Sequence, residues 1–243
     1  MKNNKKISFE AYQKMASYYF NEVDEKPFNA YYERPAILSM LPDVENKKVL
    51  DAGCAAGWYS RWLLDRNADV TAIDFSPKMV EMTKKRLQGR GRVLKADLNN
   101  PLDFLKNNSF DLILSSLTLH YIENLYPVLK EFNKKLKSGG VLVFSVHHPF
   151  MTFSYFKREN YFEVELLEDE WKTTKGKVKV SFYRRPLKEI INPVVEGGFT
   201  IEKIDEPMPT QKFREKSPKM YKRLTEKPQF LFVKAVKTEK IEK

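Results

Sequence analysis

Between Lys47 and Val146 the chain repeats one unit, a short β-rich apolar run followed by a longer amphipathic stretch. Continuous apolar runs suit strands buried on both faces, so the repeat dictates a parallel sheet with helices packed on each side. Strands are read at "KKVLDAG", "ADVTAIDF", "GRVLKAD", "FDLILSSL" and "GGVLVFSV". The segments between them carry helix signals. "GWYSRWLLDRNA" spaces its apolar residues helically, and Ser76 followed by Pro77 is an N-cap with proline in the first turn. "LYPVLKEFNKKLKSGG" has lysines in its last turns and is expected to end on glycine.

Beyond Phe150 the pattern changes. "YFEVELLEDEWKTTKGKVKVSFYRRP" alternates apolar and polar residues around a Lys-Gly turn, which reads as a small antiparallel excursion after the fifth strand. A helix, "PLKEIINPVVEGG", and a strand, "FTIEKIDE", follow; a polar insertion from Pro207 to Pro228 precedes the last strand, "QFLFVKAV". Ahead of the sheet lie aromatic-rich helical segments, "FEAYQKMASYYF" and "AYYERPAILSMLP". The expectation is one domain over 1–243: an N-terminal helical cap (1–46), a core (47–150), an antiparallel cover (151–185) and completion of the sheet (186–243).

A chain of 243 residues with 42% hydrophobic content can build one large core. The single cysteine, Cys54, excludes an intrachain disulfide and a Cys-rich zinc site, which fits a reducing, cytoplasmic setting. No apolar run approaches the roughly 18 residues of a membrane span, and no apolar stretch follows the basic start "MKNNKKISFE". A soluble protein without a membrane partner is expected. The net charge of +11 suits a phosphate-bearing partner. Lysine is nevertheless spread along the whole chain, without an RNP-like motif, zinc finger or arginine-rich helix, so a solvated basic surface is the favoured reading and nucleic acid a secondary one.

In an open parallel sheet, ligands sit outside the carboxyl ends of the strands. That directs attention to "VLDAGCAAGWYS", where Gly53 and Gly57 bracket the first strand-to-helix turn. The spacing is neither the G-x-G-x-x-G of dinucleotide domains nor a phosphate loop with its lysine, which disfavours a diphosphate ligand. Asp74 closes the second strand roughly 20 residues beyond the turn, where a carboxylate can accept from both hydroxyls of a ribose. Asp97 closes the third, where it could accept from an adenine amino group. Together they outline a nucleoside site.

With these motifs in this order, the chain resembles the class I S-adenosylmethionine-dependent methyltransferases of small-molecule type, over about Lys47 to Phe150. "NAYYERP", "YRRPL", "GGF" and "EPMP" also match a bacterial subfamily. The resemblance implies a doubly wound, Rossmann-like α/β fold with a seven-stranded, mostly parallel sheet, helices on both faces and an antiparallel last strand. It implies S-adenosylmethionine as cofactor and S-adenosylhomocysteine as product. By the family pattern Asp51, Gly53, Cys54, Ala55 and Gly57 surround the methionine moiety, Asp74 and Phe75 the ribose and adenine, and Asp97 and Leu98 the adenine edge, while Ser115 lies near the sulfonium. Alanine stands at 55 where the family often has glycine; the turn is expected to survive the added methyl.

A sulfonium already activates its methyl group, so the protein must align an acceptor and, for a hydroxyl or ammonium, remove a proton. Histidine is suited to that. All three histidines, His120, His147 and His148, fall just beyond the carboxyl ends of the fourth and fifth strands. His147 and His148 are adjacent, so on extended backbone only one readily enters a common pocket, and the sequence leaves open which. Adjacent histidines without a cysteine cluster do not make a metal site, and none is expected. Tyr19, Tyr31, Tyr32, Tyr161, Trp171 and Tyr183 are candidate walls of an acceptor pocket. Arg184 and Arg185 are expected to pair with Glu163 or Glu165 across the excursion rather than with an acidic acceptor. The resulting function is methyl transfer to oxygen or nitrogen of a small-molecule acceptor. An RNA methyltransferase and a non-catalytic nucleoside-binding protein are the alternatives, and the oligomeric state is open.

Overall fold

A computed structural model describes residues 10–238 apart from 14, 17, 18, 174 and 175. Phe9, which opens the first aromatic segment, and Lys175 of the Lys-Gly turn lie outside the described residues. Residues 10–13, 15–16 and 19–21 are helical, and a π-helical turn, Asn29–Glu33, runs into α1 (Arg34–Met40). The sheet then begins: β1 (Lys48–Ala52), α2 (Trp58–Leu64), β2 (Asp69–Asp74), α3 (Pro77–Leu87), β3 (Arg92–Lys95), β4 (Phe110–Ser115), α4 (Leu125–Lys135) and β5 (Leu136–His147). There follow α5 (Pro149–Tyr155), the hairpin β6 (Glu165–Thr173) and β7 (Gly176–Arg184), α6 (Lys188–Glu196), β8 (Phe199–Asp205), α7 (Gln211–Lys216), α8 (Pro218–Glu226) and β9 (Phe230–Lys237). No helix among the described residues is long and apolar enough to cross a membrane.

The strands form a seven-stranded sheet in the order β3-β2-β1-β4-β5-β9-β8, and β6 pairs only with β7. β1 to β5 are parallel, and β9 slots antiparallel between β5 and β8. The expected Rossmann-like fold with an antiparallel last strand is what the chain adopts. Strand alternation sends neighbouring residues to opposite layers. Leu50, Ile113 and Leu142 pack with Phe132 of α4 and Val194 of α6, whereas Val49, Leu112 and Val143 pack with Ile37 of α1 and Leu63 of α2. Each helix therefore docks on a face that the strands already made apolar. Strand order reverses between β1 and β4, which opens a crevice at their carboxyl ends.

Local signals account for the boundaries. Ser76 caps α3 by accepting from the Met79 N–H at 3.3 Å. The expected glycine end of α4 is corrected: the helix stops at Lys135, and Leu136 is already extended and pairs with Phe110. Register slips between Phe110 and Leu112, so residues 137–140 bulge out of β5 and Gly139, at φ 69°, serves that bulge instead of a helix cap.

Candidate active site

A cavity of about 1070 Å³ occupies the crevice at the carboxyl ends of β1, β2 and β4. Its volume exceeds what one ordinary ligand needs, so two ligands can lie side by side. Its floor is the turn after β1 and the ends of β2 and β4; Trp171, Phe182 and Tyr183 of the β6–β7 hairpin form an opposing wall.

The floor is built from constrained backbone. Gly53 sits at φ 87°, and a Cβ there would lie 2.2 Å from the Thr118 Oγ1, so the turn admits glycine alone. Ala55 holds φ 47° and Leu117 φ 45°, left-handed conformations that cost an L-residue about 1–2 kcal/mol, and both line the cavity. Ala55 keeps the turn because its N–H donates to Asp74 Oδ2 at 3.0 Å. The Asp74 Oδ1 accepts from the Ser76 N–H at 2.9 Å. Burial pushes the Asp74 carboxyl up to about 7. Asp51 accepts from the Ser60 hydroxyl at 2.5 Å, and burial pushes it up to about 6. With Asp97, Phe75 and Leu98 on the same wall, these groups suit a ligand that brings a positive charge, hydroxyl donors and a flat ring. Cys54 lines the turn too, its thiol raised well above its usual range by burial.

At the opposite end two imidazoles stack. The rings of His120 and His147 lie 3.9 Å apart at 14°, with Phe182 edge-on to His147 at 4.5 Å and Phe230 stacked at 6.1 Å. Both His120 nitrogens and the His147 Nδ1 are sealed from solvent without a hydrogen-bond partner. His147 is half-buried with only its Nδ1 sealed, so Nε2 is the nitrogen open to the cavity. Burial drives His120 well below the usual imidazole range, with His147 and Arg185 adding to the effect, and drives His147 down to about 4. Both rings are neutral at pH 7.

Other candidates lie elsewhere. His148 stands as a cap: its Nδ1 accepts from the Phe150 N–H at 3.1 Å at the start of α5, and its Nε2 donates to Glu206 Oε1 at 2.6 Å. Pro149 favours the extended backbone that His148 adopts, and His148 is not among the residues lining the cavity. Ser115 donates to the Ala52 carbonyl at 2.9 Å inside the sheet, and strand alternation puts Ser116 on the cavity instead. Gly57 starts α2 against Thr83. The Tyr31 carbonyl holds Thr210, Tyr32 packs on Phe213 and Phe230 in the core, and the Tyr161 hydroxyl accepts from the Leu187 N–H at 3.0 Å; none of these three lines the cavity. Tyr19, Trp171 and Tyr183 do. Arg184 pairs with Glu165 at 2.7 Å as expected, while Arg185 donates to the Ile122 and Glu123 carbonyls.

Several lining groups lie in segments the sequence marks without singling out these residues. Glu33, in the π-helical turn, accepts from Tyr59 at 2.7 Å, Ser116 at 2.7 Å and Ser145 at 2.8 Å, and burial raises its carboxyl against those bonds. It ties the N-terminal segment to the ends of β4 and β5. Tyr12 donates to the Tyr121 hydroxyl at 2.8 Å across the cavity rim. Arg223 enters from α8.

Residues 50–144 match a family model described as a methyltransferase domain. The chain is 33% identical over 250 residues to an uncharacterised protein of Haemophilus influenzae, an alignment covering 96% of this chain and 95% of that one. It is 33% identical over 111 residues to the malonyl-[acyl-carrier protein] O-methyltransferase of Enterobacter lignolyticus, covering 45% of this chain and 43% of the relative. Among solved structures, an S-adenosylmethionine-dependent methyltransferase from Mesorhizobium loti superposes with a TM-score of 0.69 at 27% identity, over 86% of this chain and 99% of that one. Fold, strand-end carboxylates and relatives agree: the chain belongs to the class I S-adenosylmethionine-dependent methyltransferases, enzymes that use S-adenosylmethionine as cofactor.

Proposed function

We propose that the enzyme methylates an oxygen or nitrogen of a small-molecule acceptor, and that His147 removes the acceptor's proton. When bound, S-adenosylmethionine supplies a methyl group on a cationic sulfur. Asp74 and Phe75 would hold its ribose and adenine, Asp97 and Leu98 the adenine edge, and Asp51, Gly53, Cys54 and Ala55 its methionine end. Buried carboxylates favour a cationic ligand, and the raised values of Asp51 and Asp74 mean that such a charge would return both to the ionised form.

The imidazole stack carries the assignment of the base. His147 is neutral above its lowered value, so Nε2 is free to accept a proton throughout the physiological range. His120 is the positioning residue: wholly buried and stacked on His147, it fixes that ring's plane. Phe182 and the hairpin restrict water at the same point. The name of the malonyl-[acyl-carrier protein] relative supports oxygen as acceptor atom.

The test measures label transfer from methyl-labelled S-adenosylmethionine to a small-molecule filtrate. His147→Ala is expected to bind cofactor within about twofold of wild type but to lose roughly 10²- to 10⁴-fold in turnover. At saturating cofactor the wild-type rate should show no ascending limb near 6.5, the usual imidazole value, because the folded-state value is about 4. Full activity in the variant removes His147 as base.

A further inference from the structure

We infer that the acceptor carries an oxyanion, a carboxylate or a phosphate, away from its methylated atom, and that Arg223 binds it. This rests on the methyl transfer proposed above and names the chemistry of its acceptor. Arg223 projects from α8 into the cavity, where its Nη2 donates to the Gln229 side-chain oxygen and its Nε is sealed from solvent without a partner. Gln229 precedes Phe230, the register partner of His147 across β5 and β9. The cation and the base therefore open on one stretch of wall. Among the described residues no carboxylate lies within ion-pair distance of Arg223, whereas the cavity's Arg34 is engaged by Asp24 at 3.7 Å and by the Trp58 ring at 4.1 Å. A recessed guanidinium whose charge meets no carboxylate is costly unless an anion joins it, and the planar fork of its terminal nitrogens matches carboxylate and phosphate oxygens.

The helices around it point the same way. Lys212, Arg214 and Lys216 of α7, Lys219 and Lys222 of α8 and Lys227 just beyond it are exposed, against the exposed Glu215 and Glu226, and none of these cations forms an ion pair among the described residues. A net positive surface of this kind attracts anions and speeds their encounter with the protein. A small anion fits this better than a polynucleotide, because Glu33, Asp51, Asp74 and Asp169 also line the cavity and a polyanion would meet more of them than a single oxyanion held at Arg223.

The test begins with a metabolite extract freed of macromolecules by filtration and split on an anion exchanger at pH 7. Each fraction, and the filter retentate, is incubated with the protein and methyl-labelled S-adenosylmethionine. Label is expected to reach compounds of the retained fraction. Arg223→Gln should raise the half-saturating amount of that fraction roughly 10- to 100-fold, with the rate at saturation within about threefold of wild type and cofactor affinity by calorimetry unchanged. Arg223→Lys should restore part of the loss. Phosphatase treatment separates the two anion sources: lost acceptor activity assigns a phosphate, kept activity a carboxylate. Transfer confined to the unretained fraction, label in the macromolecular retentate, or unaltered half-saturation in Arg223→Gln overturns the inference while leaving methyl transfer intact. Absence of transfer in every fraction overturns the proposed methyl transfer itself.

Discussion

Asp51 and Asp74 are expected to couple cofactor binding to protons. Both have folded-state values, about 6 and about 7, above the ordinary 3.8, so the folded protein holds protons there that the unfolded chain has released. Their stabilising contribution is full below pH 3.8 and is lost as pH rises through 6 and 7. His147 acts oppositely: its value falls from 6.5 to about 4, so its contribution is present above 6.5 and lost as pH falls toward 4. The two trends offset each other in the free protein across the mildly acidic range. Cofactor breaks the balance, because a cation and hydroxyl donors favour ionised carboxylates. Titration calorimetry at pH 6.5 in buffers of different ionisation enthalpy is expected to show release of on the order of one proton per cofactor bound. Zero net release would mean that the two aspartates are already ionised.

At the scale of elements, α5 depends on the residue that precedes it. His148 caps it, and His148→Ala is expected to cost about 1 kcal/mol of unfolding free energy, measured by urea denaturation, while methyl transfer stays within about twofold. A loss of turnover like that of His147→Ala would put His148 back among the catalytic groups. The five parallel strands and the Ser76 cap were legible because periodicity and capping are local in the chain. So were the places of Asp51 in β1 and Asp74 at the end of β2, whereas Asp97, expected to close the third strand, lies two residues beyond Lys95, where β3 stops. The bulge at 137–140 was hidden, because a run such as "KSGG" serves a helix end and an irregular strand equally well. Which of His147 and His148 faces the cavity depends on where β5 stops and α5 begins, a difference of one residue. The roles of Glu33, inside "NAYYERP", and Arg223 were hidden for another reason: they reach the cavity from segments nearly 200 residues apart, and only tertiary packing brings both to it.

Across the whole molecule, charge is divided by location. The chain carries a net +11, yet the carboxylates lining the cavity outnumber Lys26, Arg34 and Arg223. A continuous basic path to the cofactor mouth, which methylation of RNA would require, is interrupted by that acidic interior. The same interior suits a cationic cofactor, and the switch point between β1 and β4 gives it depth for cofactor and acceptor together. The measurement that bears most directly on this arrangement is a crystal structure of the complex with S-adenosylhomocysteine. The account predicts ribose hydroxyls on the Asp74 carboxylate, the adenine edge at Asp97, and the thioether sulfur facing the part of the cavity where His147 Nε2 opens. Ribose away from Asp74, or a sulfur walled off from His147, would contradict it.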